Sequence, residues 1–132
     1  MYQYFVKNVL KVVDGDTIDV EIDLGFDLTK KERVRLGGID TPESRTRDLD
    51  EKKLGLQAKD YLKSLIMNAD KLIVRTEKDG KFGRMIGYLY MNPDATVSLN
   101  QMLIDEGFAW MYDGGTKKKD LQEFLDKRRM QS

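Results

Sequence analysis

The run TIDVEIDL, residues 17–24, alternates with a period of two, placing Ile18, Val20, Ile22 and Leu24 on one face and Asp19, Glu21 and Asp23 on the other. That pattern predicts a half-buried antiparallel strand. The preceding YFVKNVLKVV is rich in valine and aromatics, and the DGDT that joins the two runs contains Asp-Gly, a strong hairpin signal. GFDLTKK then turns the chain into a third strand, ERVRLGGI, whose Gly37 and Gly38 mark a bend or a close backbone approach. From about Glu51 to Ala69 the apolar residues Leu54, Ala58, Tyr61, Leu62, Leu65, Ile66 and Ala69 recur at three and four, which predicts an amphipathic helix. KLIVRTE and GRMIGYLYM predict a strand pair around the turn KDGKFG, and SLNQMLIDEG a short helix capped by Ser98 and stopped by Gly107. A last helix is expected over about Lys118 to Met130, with Leu121, Phe124 and Leu125 facing inward.

Three strands, a helix, two strands and further helices, in that order, fit an α+β chain built mainly on a β-barrel. The expected architecture is a small, partly open, five-stranded Greek-key barrel of the oligonucleotide-binding (OB) type, made of antiparallel strands and carrying helices. The 132 residues suit one domain spanning residues 1–132.

Composition narrows the chemistry. With no cysteine there is no disulfide framework, and with no histidine there is no imidazole base or imidazole metal ligand. A general base must then be a carboxylate, and a catalytic metal a hard cation held by oxygen. The 23 basic and 23 acidic side chains balance to zero, so overall charge gives no drive towards nucleic acid or an anionic membrane. The distribution is uneven, because residues 14–51 hold twelve Asp or Glu against six Lys or Arg. No run approaches the roughly 18 apolar residues of a membrane span. If Met1 is the native start, the expected location is the cytoplasm; a removed signal peptide would make it secreted.

Taken alone, DGDT is a hairpin turn whose Asp14 and Asp16 satisfy backbone donors. DTPE alone is a helical start with Thr41 as cap, Pro42 in the first turn and Glu43 beside the positive dipole end. KFGR alone is a hairpin corner. If the strands pair as expected, however, Asp16, Asp40 and Glu43 share a pocket at one barrel rim. Two like charges about 4 Å apart repel by roughly 4 kcal/mol at an effective dielectric near 20, which a divalent ion with oxygen ligands relieves. Arg35 and Arg84 would add two planar forks matched to a phosphate.

At this point the sequence resembles the staphylococcal nuclease (thermonuclease) family over nearly its whole length. The landmarks stand in order: DGDT at 14–17, RLGGIDTPE at 35–43, KFGR at 81–84 and LNQMLIDEGFAW at 99–110. The resemblance implies a five-stranded barrel with three helices and calcium-dependent cleavage of DNA and RNA that leaves 3′-phosphate ends. It implies Asp16 and Asp40 as carboxylate ligands of Ca2+, with Thr41 contributing its backbone carbonyl. Glu43 would be the general base, and Arg35 and Arg84 would grip the scissile phosphate. A monomer acting on DNA or RNA, without a membrane partner, is the corresponding expectation.

Two positions depart from the family pattern. Phe82 stands where a tyrosine hydroxyl is expected, and DGG at 113–115 follows Tyr112 where a second aromatic is expected. Tyr112 and Trp110 are open to two roles, stacking on a base or packing. Lys81 and the KKK run at 117–119 are the nearest basic candidates for substrate contact. The competing reading is a non-catalytic OB-fold module that binds nucleic acid without cutting it.

Overall fold

A computed structural model describes residues 2–77, 85–112 and 117–131. The elements are β1 (Tyr2–Asp14), β2 (Thr17–Gly25), β3 (Leu28–Leu36), β4 (Ile39–Asp40), α1 (Leu49–Met67), β5 (Ile73–Thr76), β6 (Met85–Tyr90), α2 (Leu99–Asp105), β7 (Trp110–Met111) and α3 (Lys117–Gln131). Five strands close into a barrel in the order β1-β2-β3-β6-β5, so the expected five-stranded barrel is present and it is closed, not partly open. One seam departs from the antiparallel expectation: β3 and β6 run parallel, pairing Val34 with Met85, Arg35 with Ile86 and Leu36 with Gly87. The long connection through α1 returns the chain on the side that permits this parallel pairing.

The period of two sets the inside of the barrel. Ile18, Val20 and Ile22 from β2 meet Val34 and Leu36 from β3, Val74 from β5 and Leu89 from β6 in the core. β1 is long enough to pair with two neighbours, joining β5 at Tyr2–Phe5 and β2 from Val6 onward. Irregular register between Val6 and Asn8, Val9 and Lys11, and Val12 and Asp14 bends it around the barrel.

α1 begins at Leu49, earlier than its apolar spacing indicates, because Asp48 caps it by accepting hydrogen bonds from the Asp50 (3.0 Å) and Glu51 (3.2 Å) backbone N–H groups. Ser98 caps α2 as expected, accepting from Gln101 N–H at 3.0 Å. Thr41 caps no helix. Residues 41–47 are irregular, and the Thr41 N–H is taken by two aspartates described below. The third strand stops at Leu36; Gly38, at φ +74°, turns the chain so that Ile39–Asp40 pairs instead with Trp110–Met111. α3 docks through Phe124, whose ring lies 5.1 Å from that of Trp110, and through buried Leu125. The turn expected at KDGKFG falls in residues 78–84, outside the described residues.

Asn100 of α2 fastens the parallel seam. It is buried, accepts from Leu89 N–H (3.1 Å) and donates to the carbonyls of Gly37 (2.9 Å) and Gly87 (3.2 Å). On the outer side of the β2–β3 pair, Arg33 forks onto Asp19 with Nε–Oδ1 2.7 Å and Nη2–Oδ2 3.0 Å. The hydrogen bond from Arg33 holds the Asp19 carboxyl below its ordinary value of 3.8.

Asn100→Ala should lower unfolding stability by about 2–6 kcal/mol in urea titrations, since Leu89 N–H and the Gly37 carbonyl are orphaned at roughly 1–3 kcal/mol each. The Asp19 pair is lost in acid: a depressed folded-state pKa contributes stability above the unfolded value, lost as pH falls through the folded one. Arg33→Gln should therefore move the Asp19 carboxyl titration upward by NMR and cost roughly 0.2–1 kcal/mol at neutral pH, a difference that vanishes once Asp19 is protonated in both proteins.

Candidate active site

Two turns place the site. The turn after β1 brings Asp16 to β3, where the Asp16 carbonyl accepts from Leu36 N–H at 2.8 Å and Thr17 pairs with Arg35. The β3–β4 turn sets Asp40 five residues beyond Arg35 on the same rim. Both carboxylates are withdrawn from solvent, Asp16 to 7% and Asp40 to 1% exposure.

Arg35 makes that burial tolerable. Its Nη2 lies 3.6 Å from Asp16 Oδ2 and 3.4 Å from Asp40 Oδ1, while Nη1 and Nη2 donate to the carbonyls of Leu36 (2.7 Å) and Ile39 (2.9 Å). Thr41 N–H adds a shared donor, reaching Asp16 Oδ2 at 3.2 Å and Asp40 Oδ1 at 3.0 Å. Thr17 Oγ1 supplies a further hydrogen bond to Asp16 Oδ1 at 2.9 Å. Among the described residues, one guanidinium is shared by two carboxylates in a largely desolvated pocket.

A hard cation fits what is present. The donors are all oxygen, two of them on buried carboxylates, and the Thr41 Oγ1 is buried with no hydrogen-bond partner among the described residues. Asp16 and Asp40 bring two carboxylates together; among the described residues no group of three or more acidic side chains forms a metal cage. Calcium takes six to eight oxygens, so carbonyl, water and substrate oxygens would have to fill the rest.

Glu43 lies on the adjoining loop with its residue exposed. Its backbone N–H donates to Glu51 Oε2 of α1 at 3.0 Å. The next residue, buried Ser44, donates from both its N–H and its hydroxyl to Asp14 Oδ1. Beneath them α1 presents small residues. A Cβ on Gly55 would fall 2.4 Å from the Glu43 carbonyl oxygen and 2.7 Å from that of Pro42, and one on Gly15 would fall 2.8 Å from Ala58 Cβ. Both loops that carry candidate residues therefore rest on one helix face, through Gly55 and Ala58.

Of the residues singled out from sequence, Asp16, Arg35, Asp40 and Thr41 converge; Glu43 is exposed on the loop that follows, and the expected pocket of three carboxylates does not form among the described residues. Tyr112 is half-buried, its N–H donating to the Gly38 carbonyl at 2.9 Å. Trp110 packs on Phe124, the packing role of its two. Lys81, Phe82 and Arg84 lie outside the described residues, as does the DGG after Tyr112. The sequence reading did not find Ser44, Glu51 or Gly55, and gave Asp14 to its own turn. The one available signal was Gly55 and Ala58, two small residues three apart on the face of an otherwise bulky helix.

A profile of the family described as "Staphylococcal nuclease homologue" matches residues 33–130. An uncharacterized protein of Methanocaldococcus jannaschii is 31% identical over 97% of this chain and 68% of its own length. The micrococcal nuclease of Shigella flexneri is 29% identical over 91% of this chain and 66% of its own, and the thermonuclease of Staphylococcus hyicus 31% identical over 76% and 56%. The chain thus spans less than two thirds of the length of the latter two relatives.

An exposed helix glycine replaced by alanine normally gains about 1 kcal/mol. Gly55→Ala should do the opposite, losing about 1–3 kcal/mol because the new methyl meets backbone that cannot yield. Hydrogen exchange should show the Glu43 and Ser44 amides losing protection; a stabilised variant with both amides unchanged would mean that the loop does not rest on the helix.

Proposed function

Because the chain belongs to the staphylococcal nuclease family, we propose that it hydrolyses phosphodiester bonds in DNA or RNA, assisted by calcium, leaving 3′-phosphate ends. The observation that carries this reading is the buried pair Asp16 and Asp40 gathered on Arg35, with Glu43 on the neighbouring loop. Asp16, Asp40 and Thr41 would hold the cation. Bound there, calcium would neutralise phosphate charge and make a coordinated water more acidic.

The chain's own residues do the rest. Glu43, exposed on a loop tied to α1 by Glu51 and to β1 by Asp14, accepts a proton from the attacking water. The water oxygen forms a bond to phosphorus as the bond to the 5′ oxygen breaks, and that oxygen leaves with the electron pair and is protonated from solvent. Arg35 is fixed by two backbone carbonyls and two carboxylates, so it need not be ordered when substrate arrives, and its Nε–H has no hydrogen bond among the described residues. It donates to the phosphate as negative charge grows there, together with Arg84. Lys81 and Tyr112 are assigned to the substrate's flanking phosphate and base.

The test is cleavage of heat-denatured DNA with calcium, with and without chelator. Cleavage should stop with chelator, Glu43→Gln should lower kcat by ~10²–10⁴, and Arg35→Lys, which loses the fork, by ~10²–10³. Chelator-resistant cleavage, or a Glu43→Gln variant as fast as the parent, would overturn the reading. Salt-sensitive binding without any turnover would instead identify a binding module.

A further inference from the structure

The strand register carries the outer barrel surface continuously away from Arg35. Val34, Val74 and Leu89 point into the core, so Arg35, Arg75, Tyr88 and Tyr90 point outward. Arg35 pairs with Ile86 across the parallel seam, Tyr88 two residues on pairs with Arg75, and Arg75 pairs with Gln3. Ile73, on the outward side with Tyr90 and Phe5 as cross-strand partners, is itself fully covered, while Phe5, Arg75, Tyr88 and Tyr90 around it are half-buried and Lys71 is exposed. At the near end the Tyr88 ring lies over the turn next to the site: a Cβ on Gly37 would fall 2.9 Å from Tyr88 Cζ.

Two cations are held on this face by aromatic rings. Arg75 stacks 4.3 Å over the Tyr90 centroid and is fixed by hydrogen bonds to Gln3 Oε1 (2.9 Å) and the Pro93 carbonyl (3.1 Å). Lys71 Nζ sits 4.1 Å over Phe5. Among the described residues neither forms an ion pair, whereas Arg33 and Arg35 both do. A cation–π contact fixes a charge without cancelling it. The result is two positive charges, without an ion-pair partner among the described residues, set among aromatic side chains; Arg75 on β5 lies two strands from Arg35 and Phe5 on β1 three, at about 4.8 Å per strand.

We infer that the outer face of β6, β5 and β1 binds a single-stranded nucleic acid, with Lys71 and Arg75 on its phosphates and Tyr88, Tyr90 and Phe5 beside its bases. Phosphate is the complement of the two charges, and only unpaired bases offer rings to an aromatic surface. Barrels of this type occupy ~4–16 nucleotides, enough for a strand to run from this face to the acid pair. The placement of one end at Arg35 rests on the nuclease reading; the binding does not.

The experiment is fluorescence anisotropy of labelled dT12 with the full chain in chelator, which prevents cleavage, over a series of salt concentrations. The double variant Lys71→Gln/Arg75→Gln should bind roughly tenfold more weakly at low salt, with the slope of log K on log salt flattened by about 1.4, or ~0.7 per lost contact. Lys71→Gln alone, at an exposed position, should flatten it by about half as much and guards against a double variant that fails to fold. With calcium, the double variant should raise KM for long single strands while leaving kcat, and hydrolysis of thymidine 5′-(p-nitrophenyl phosphate), unchanged. Unaltered dT12 affinity and slope in variants that melt as the parent does would overturn the inference, as would a dT12·dA12 duplex bound as tightly as dT12. A parent that cleaves nothing yet binds dT12 through Lys71 and Arg75 would sink the nuclease reading and leave this one standing.

Discussion

The Arg35 guanidinium stands within 3.6 Å of Asp16 and 3.4 Å of Asp40, two buried carboxylates on one rim, and much else in the structure follows from that contact. Arg35 is itself placed by pairing: β2 sets Thr17 opposite it, and the Asp16 carbonyl ties the turn to Leu36 N–H. A slip of one residue between β2 and β3 would turn Val34 outward and Arg35 into the core, so the buried apolar face that fixes the barrel's register also fixes the charge arrangement at its rim. Stability and chemistry are thus set by the same pairing.

What was legible in the sequence was whatever depends on local periodicity or local capping. The alternation in TIDVEIDL put Ile18, Val20 and Ile22 inside, and Ser98 marked the start of α2. The start of α1 was missed because one carboxylate, Asp48, decides it, and an apolar spacing count does not see caps. Thr41 was read as a cap because DTPE has the right composition; long-range acceptors from Asp16 and Asp40 claimed its N–H instead. The β4–β7 pair, the parallel seam and the Asn100 clamp all join segments far apart in the chain, and no local pattern announces such partners. In the candidate site, the residue types were visible, but the platform of Gly55 and Ala58 and the Ser44–Asp14 tie exist only once the helix is laid against the loops.

A formal charge of zero conceals a separation of charge across the molecule. The rim gathers the buried carboxylates of Asp16 and Asp40, while Lys71 and Arg75 on the far strands form no ion pair among the described residues. Screening at physiological salt acts over about 8 Å, so each region presents its own sign locally even though the whole has none.

The parallel β3–β6 seam also governs the order in which the chain can assemble. The β1–β2–β3 meander needs only short loops and can form early, whereas the seam must wait for α1 and β5 to be traversed. Until that late closure both β3 and β6 are unpaired along one side, and an unpaired strand edge is a template for another chain. A growing or stressed population of this protein is therefore most exposed to self-association during the interval before α2 docks and Asn100 locks the barrel shut.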